Sequence, residues 1–513
     1  MKIALARTVR ELEKKAHAAL KIAEPSLMEK ASKLCADAVF AFKKAHKALK
    51  NYGIIVLAGR GNNGGDGILA GSYLSSVYGE NVTIYSLCKI SEMSDEVRRH
   101  FLSLPSNVSV KFIGNTLPVF SPDKPAIILD ALLGIGFKGE LRSPVKELIK
   151  SVNSSNFPVI SIDVPSGIDC DSGVGKEAIF ADMTVTVGAE KRGLYTADGR
   201  LHSGIVKFAD IGFNLNAIPD NEVEFEVIPS NIIQQIFRRP REEFYKTRNG
   251  RVLIIGGSAL YPGAMSLSVL GADCVGCGLL TAAIKSRPFS PLPPTVIVRD
   301  LSENGKCFNA ADCRILRDMA AKNDCIVFGM GTTANSNIRD VLELLLSLPQ
   351  TLVLDADALN TIAMFPELWQ KKTHSNIIIT PHHQEAVRLA HAFDIKGFET
   401  MERHEQASIL SKTLQCITVL KGAKTLIASP DNRIWVNPCG SYALAKGGSG
   451  DVLSGIIGAL SAKKCGISLF EAAAAGVFLH AAGADFAAES NSVFDIAELP
   501  VAVRKYINSL TIF

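Results

Sequence analysis

The chain carries little charge excess of either sign: across 513 residues, 55 Lys and Arg face 51 Asp and Glu, a net of +4. So even a balance gives no footing for nucleic acid or a membrane surface as partner. Cysteines at metal spacing are missing as well. The 11 cysteines are scattered, and the lone C-x-x-C at Cys274 and Cys277 has no second Cys or His pair to complete a zinc site. Small reduced thiols are the expectation. Arg7, Arg10 and Glu11 interrupt any apolar start of the signal-peptide kind. No unbroken apolar run reaches the ~18 residues that a membrane span needs. Short internal repeats and low-complexity segments are absent too. These absences leave the expectation of a cytoplasmic protein.

What is present is a chain 47% apolar and 21% charged, too long for one ordinary domain. Residues 8–50 read as helix, with apolar residues at three- and four-residue spacing and Pro25 as the only proline. Short apolar runs then alternate with helical stretches. In the first half these runs include 54–58, 82–87, 126–129, 159–162 and 183–187. Their apolar character is continuous rather than alternating, which fits strands covered on both faces of a parallel sheet. Pro219, Pro229, Pro240 and a charged cluster at 238–251 break the series. A second series follows at 252–255, 325–328, 352–354, 376–379, 417–420, 425–428 and 433–436. The expectation is an α/β protein of two domains, 1–218 and 239–513, joined by a linker region at 219–238.

Residues 59–67 read GRGNNGGDG directly after the first apolar run. Gly59, Gly61 and Gly64 satisfy G-x-G-x-x-G, and a strand entering such a turn points backbone N–H groups at an anion. The ribose-binding acid expected after the next strand is missing, since 82–89 reads VTIYSLCK. The loop is therefore anion-friendly without being a Rossmann NAD site. Two more polar clusters follow expected strands, DALLGIGFKGE at 130–140 and DVPSGID at 163–169. In a parallel sheet all three lie at the carboxyl edge, where ligands bind. Asn63, Asp130 and Ser166 then offer hard oxygen ligands for a cation, and Asp163 remains as an acid or base. The plainer reading makes each Asp a helix cap and each Gly a turn residue; three clusters on one sheet edge favour the functional reading.

GRGNNGGDG, DALLGIGFKGELRSP and SIDVPSGIDCDSG resemble the signature loops of NAD(P)H-hydrate epimerase domains, the YjeF N-terminal family, over residues 8–213. The resemblance implies a Rossmann-like three-layer sandwich. It implies a substrate site from Asn62, Asn63, Gly64, Gly65, Asp66, Gly134, Ile135, Gly136, Phe137, Lys138, Gly139, Glu140 and Asp163, and a potassium ion on Asn63, Asp130 and Ser166. Its chemistry is inversion at C6 of a hydrated nicotinamide ring, with Asp163 moving the proton.

In the second half, 440–458 reads GSYALAKGGSGDVLSGIIG. Its glycines precede a helix that begins near Asp451, with Val452, Leu453, Ile456 and Ile457 on the buried side. Free N–H groups and the helix dipole favour a phosphate there, and Asp451 can take a hydroxyl proton during phosphoryl transfer. No Lys-Ser/Thr follows the glycines, so this is no Walker A loop. GGSALYPGA, VLDADALN, VLKGAKT and GGSGDVLSGIIG together resemble the ribokinase-like ADP/ATP-dependent NAD(P)H-hydrate dehydratases, over residues 239–507. That resemblance implies a ribokinase-like three-layer sandwich. The nucleotide would lie on Lys421, Gly422, Ala423, Lys424 and Thr425, and on Ser441, Tyr442, Ala443, Leu444, Ala445, Lys446, Gly447, Gly448, Ser449 and Gly450. The hydrated cofactor would touch Ala264, Gly331, His382 and Asp451, with Asp451 as base and Mg²⁺ on the ADP or ATP phosphates. Gln384, Lys424 and Lys446 depart from the family pattern.

The combined expectation is a bifunctional enzyme, an epimerase fused to an S-specific dehydratase. It would act on NADHX and NADPHX with ADP or ATP, as a homo-oligomer. The alternatives are a vitamin-precursor kinase on the same fold with a non-catalytic N-terminal binding domain, and a pair of interaction modules without catalysis. The complete N-terminal domain speaks against the kinase. Asp130, Asp163 and Asp451 speak against the modules.

Overall fold

The computed structural model describes all residues except 20–24, 115–116, 230, 238–245, 288–290, 335, 489–493 and 511–513. Part of the charged cluster at 238–251 thus lies outside the described residues. The chain forms two compact units, Met1–Val227 and Ile228–Phe513. The division falls inside the stretch 219–238, and Ile232, Ile233 and Ile236 belong to the core of the second unit.

The N-terminal helix expected over 8–50 is two helices, α1 (Ala6–Ala19) and α2 (Leu27–Ala45). The second starts afresh because Ser26 and Glu29 form a reciprocal capping box behind Pro25. A parallel sheet follows. Its strands are β1 (Gly53–Ala58), β2 (Val82–Ser86), β3 (Ser109–Phe112), β4 (Ala126–Ala131), β5 (Val159–Ile162), β6 (Met183–Val187) and β7 (Ile205–Ala209). They lie in the order β3-β2-β1-β4-β5-β6-β7. Alternate residues of β4 serve opposite cores. Ile127 and Leu129 meet α2 and helix α3 (Asn62–Ser76), while Ile128 meets Leu148, Ile149 and Val152 of α4 (Val145–Asn153). That two-sided burial explains the continuous apolar runs and makes the unit a three-layer, Rossmann-like sandwich.

The second unit adds β8 (Arg251–Gly256), β9 (Leu279–Ile284), β10 (Ile297–Asp300), β11 (Cys325–Phe328), β12 (Thr351–Leu354), β13 (Ile377–Ile379), β14 (Ile417–Leu420), β15 (Leu426–Ala428) and β16 (Ile434–Val436). They run in the order β16-β15-β14-β13-β12-β11-β8-β9-β10. Pairing is parallel from β10 to β14 and antiparallel through β15 and β16. The apolar runs at 252–255, 325–328 and 352–354 fall in β8, β11 and β12. Strands β9 and β10 lie outside the expected series, although 279–284 (LLTAAI) and 296–298 (VIV) are apolar; β9 is largely buried and β10 mostly exposed.

Helix α5 (Ala264–Cys274) crosses α7 (Ser449–Ala462), which bears Asp451; α6 (His383–Ala392) follows β13. Helix α8 (Leu469–Ala488) is long and apolar enough to span a membrane by length and composition, but most of it is buried inside the unit. Glu471, His480 and Asp485 divide its sequence into shorter apolar runs.

Candidate functional site

Strand order in the first unit reverses between β1 and β4. The loops leaving those two strands diverge, which opens a crevice at the carboxyl edge of the sheet. A cavity of about 1490 Å³ lies there. Of the expected substrate residues, Asn62, Asn63, Asp66, Gly134 to Glu140 and Asp163 line it. Gly64 and Gly65 do not. A Cβ on Gly64 would stand 2.1 Å from the Gly59 carbonyl oxygen, and one on Gly65 would strike Val97 and Met28. These glycines let the first turn of helix α3 pack tight against the Gly59 loop and against Met28 of α2. Arg10, Glu13, Lys14 and His17 of α1 also line the cavity. They are distant in sequence from every motif, so no local pattern marks them.

Asp130 lies beneath the cavity floor, fully buried. Its Oδ1 accepts from the Ser166 hydroxyl (2.6 Å) and the Leu132 N–H (3.2 Å), and its Oδ2 from the Ser161 hydroxyl (2.8 Å) and the Ser166 N–H (2.9 Å). Burial nevertheless raises its pKa. Asn63 donates from Nδ2 to the Leu133 carbonyl (2.8 Å), and the Leu133 N–H donates to the Ser166 hydroxyl (2.9 Å). The Asn63 Oδ1 is buried and has no hydrogen-bond partner among the described residues. The orphaned amide oxygen of Asn63, in a residue linked through Leu133 to the Ser166 hydroxyl and the buried Asp130 carboxylate, belongs to a set of hard oxygens of the kind that suits a cation.

Asp163 stands at the end of β5 with φ +71°, a conformation that non-glycine residues rarely adopt and that gathers at functional sites. Its Oδ1 accepts from the Val187 N–H (3.2 Å) and from Lys191 Nζ. Lys191 is fully buried, and its ammonium also donates to the Val187 carbonyl (2.6 Å). Sequence reading missed Lys191; an isolated Lys inside AEKRG gives no signal. Across the cavity, Asp66 is pushed well above the usual carboxylate range by burial, with Asp163, Glu13 and Glu96 adding negative charge.

In the second unit the polar loops follow β8, β11, β12, β13 and β14 at their carboxyl ends. Lys421, just past β14, donates to Asp355 Oδ1 (2.7 Å) and lies 3.9 Å from Glu385. Burial works against its ammonium, but Asp355 and Glu385 more than offset this and raise its pKa. Ser454, one turn after Asp451 on α7, donates to Asp355 Oδ2 (2.6 Å). Asp451 itself is pushed up to about 7 by burial and by Asp355, with Lys421 acting in the opposite sense and Asp357 adding to the rise.

His382 caps α6. Its Nδ1 accepts from the N–H groups of Gln384 (3.1 Å) and Glu385 (3.4 Å), and the Glu385 carboxylate accepts the His382 N–H (2.8 Å). Gln384 thus contributes backbone alone to the loop, and its side chain is exposed. Burial, then Lys421 and Arg388, lowers the His382 pKa. Glu385 rises to about 7, mainly by burial. Ala264 and Gly331 are brought together: a Cβ on Gly331 would stand 2.9 Å from that of Ala264. Lys424 is buried and donates to the Pro438 carbonyl (2.8 Å), tying the 421–425 loop to the segment before Ser441. Tyr442 and Lys446 are exposed. His480 of α8 lies with Nε2 2.9 Å from the Ser449 carbonyl oxygen, and burial lowers its pKa to about 4. Nothing in the sequence pattern marks out Asp355, Glu385, Ser454 or His480 for these contacts.

Two family models match the chain, one described as YjeF-related protein N-terminus over residues 24–193 and one as NAD(P)H-hydrate dehydratase over residues 252–507. A bifunctional NAD(P)H-hydrate repair enzyme of Coxiella burnetii is 32% identical over 491 residues, covering 94% of each chain. The chain belongs to the bifunctional NAD(P)H-hydrate repair enzyme family. Enzymes of that name from Dictyoglomus turgidum and Escherichia coli are each 30% identical, over 94% and 84% of this chain and 93% and 80% of theirs. In a bifunctional repair enzyme the first unit carries the epimerase activity and the second the dehydratase activity. The matches to both units set aside the vitamin-kinase alternative.

Proposed function

We propose that the two sites act in sequence on hydrated nicotinamide cofactors. The first interconverts R- and S-NAD(P)H hydrate, and the second dehydrates the S form at the expense of ADP or ATP. The observation that carries the reading is Asp451, a carboxyl held near neutrality at the glycine-rich start of α7 and electrostatically linked to Lys421.

In the first cavity the substrate lies between Asn62, Asn63 and Asp66 on one side and Gly134–Glu140 on the other. Arg10, Lys14, Arg60 and Lys138 on the wall suit the anionic phosphates of a dinucleotide. Asp163 accepts and returns the proton as the C6 hydroxyl is lost or the ring is opened and re-closed. Asn63, Asp130 and Ser166 hold K⁺, with Asp130 supplying the counter-charge. The ion would supply fixed positive charge beside the substrate.

In the second site, residues 421–425 and 441–450 hold the nucleotide, and Ala264, Gly331, His382 and Asp451 hold the hydrate. Asp451 takes the proton of the C6 hydroxyl while that oxygen bonds to the terminal phosphorus and the bond to the shortened nucleotide breaks. The C6–O bond then breaks, phosphate leaves with the electron pair, and loss of a C5 proton restores the ring double bond. Phosphorylation matters because hydroxide is a poor leaving group. Among the described residues no group of three His, Cys, Asp or Glu could hold a metal ion, so Mg²⁺ is assigned to the nucleotide phosphates.

The test is a mixed R/S NADH-hydrate preparation incubated with the protein, ADP or ATP, Mg²⁺ and K⁺. Regenerated NADH is followed by absorbance. No regeneration with either nucleotide overturns the reading.

A further inference from the structure

We propose that Asp355 is the positioning residue of the dehydratase site: one buried carboxylate clamps the Lys421 ammonium on one oxygen and the helix that carries Asp451 on the other. The inference rests on the dehydratase reading of this site and adds to it a residue that acts through Lys421 and the helix of Asp451.

The geometry is two-sided. Asp355 Oδ1 accepts from Lys421 Nζ at 2.7 Å and from the Ala356 N–H at 2.9 Å. Asp355 Oδ2 accepts from the Ser454 hydroxyl at 2.6 Å, and that hydroxyl also lies 2.9 Å from the Gly450 carbonyl oxygen. The backbone of Gly450 lies close over the pair: a Cβ there would stand 3.3 Å from Lys421 Nζ and 3.6 Å from Asp355 Oδ2. The carboxylate therefore joins the end of β12, the end of β14 and the first turns of α7. Ser454 follows Asp451 by three residues, so the Asp355–Ser454 bond fixes the rotation of the turn that presents the base.

The clamp also governs charge. The charged groups facing Asp451 are Asp355, Lys421 and Asp357. Glu385 faces Lys421 from α6, and His480 faces it from α8. Without Asp355, the Lys421 charge would be free to stabilise Asp451 as a carboxylate, and Asp451 would become a weaker base. With Asp355 in place the ammonium is already partnered, and the base stays matched to neutral pH, where a general base works best.

The full-length chain is tested as wild type, Asp355→Asn, Lys421→Gln and Ser454→Ala. The measurement is kcat/KM for S-NADH hydrate against pH at saturating nucleotide, which reports the enzyme before the hydrate binds. Wild type should show an acidic limb near pH 7. Asp355→Asn should move that limb down by about 1 pH unit or more, the usual size of a close-charge effect, and lower the plateau. Lys421→Gln should move it the opposite way. Ser454→Ala should lower the plateau with the limb in place, because it loosens the turn without changing charge.

A limb that stays at the wild-type position in Asp355→Asn and Lys421→Gln overturns the proposal, even if the plateaus fall. Carbon-13 titration of labelled aspartate carboxyls reads the same shift without turnover, with the Asp451 signal identified by its loss in Asp451→Asn. A chain that shows the shift but regenerates no NADH would contradict the dehydratase reading alone.

Discussion

Lys191 sets a fully buried ammonium on the Asp163 carboxylate and the Val187 carbonyl. Asp163 was legible because it follows a strand-like run and opens a polar cluster. Its partner is one Lys among 55 Lys and Arg, and only the folded chain brings its fully buried ammonium onto the carboxylate. Removing one partner of a buried pair leaves the other charge uncompensated. Lys191→Met should therefore destabilise the first unit by about 3 kcal/mol, read by urea unfolding, while adding Asp163→Asn should recover part of that loss. Strictly additive losses would show that the two are not coupled.

Asp451 makes the opposite prediction for stability. Its pKa is raised from 3.8 to about 7 in the folded chain. The folded state thus holds a proton that the unfolded state releases, and stability falls as pH rises from about 4 through 7. Asp451→Asn removes that cost. It should stabilise the second unit above pH 7 by about 1–2 kcal/mol, with the gain fading below pH 4, while dehydratase kcat drops by about 10²–10⁴-fold. Thermal unfolding at pH 4 and pH 8 checks the sign. An equal effect at both would contradict the raised pKa.

Among the elements, the glycine-rich loops were legible for a steric reason. Gly59 is needed because a Cβ there would stand 1.8 Å from the Leu132 carbonyl oxygen, where the β1 and β4 loops part. Gly455 of α7 is its counterpart in the second unit, since a Cβ would stand 1.9 Å from the Ser268 carbonyl oxygen on α5. Gly59→Ala should abolish epimerase activity and leave the dehydratase working. Gly455→Ala should do the reverse, at an overpacking cost of about 1–3 kcal/mol or more. Each variant is assayed for both activities; loss of both in either one would contradict the assignment of one activity to each unit.

Strands read most clearly from sequence where an apolar run is unbroken. The runs behind β1, β4, β8 and β11 are continuous because helices lie on both sides of the sheet. Strands β3 (SVKF) and β7 (IVKFA) each carry a Lys inside the run, so neither announces itself by an unbroken apolar run. The break between α1 and α2 was lost because helical spacing continues across it in sequence. The polar cavity residues of α1 could not be read at all, since their relation to the loops at 59–66 and 134–140 is purely tertiary.

At the scale of the molecule, the family assignment joins two chemistries in one chain, and the sites differ in what they ask for. The first has an orphaned Asn63 oxygen and a buried Asp130 carboxylate. The second has a coupled set of acids around Lys421. Replacing K⁺ by Li⁺ should slow epimerisation and leave dehydration of pure S-hydrate unchanged. A fall in dehydration alone would place the cation in the wrong unit. The fusion has a chemical logic: an S-specific dehydratase leaves the R epimer behind, and an epimerase returns it to use.

In the proposed scheme Asp163 and Asp451 serve two successive steps. The most direct measurement is an epimer-resolved progress curve on mixed R/S NADH hydrate with nucleotide, Mg²⁺ and K⁺. Wild type should clear both epimers. Asp163→Ala should consume S-hydrate and then stall, with R-hydrate disappearing only at the spontaneous epimerisation rate. Clearance of both epimers by Asp163→Ala at the wild-type rate would contradict the role given to Asp163 and, with it, the two-step scheme.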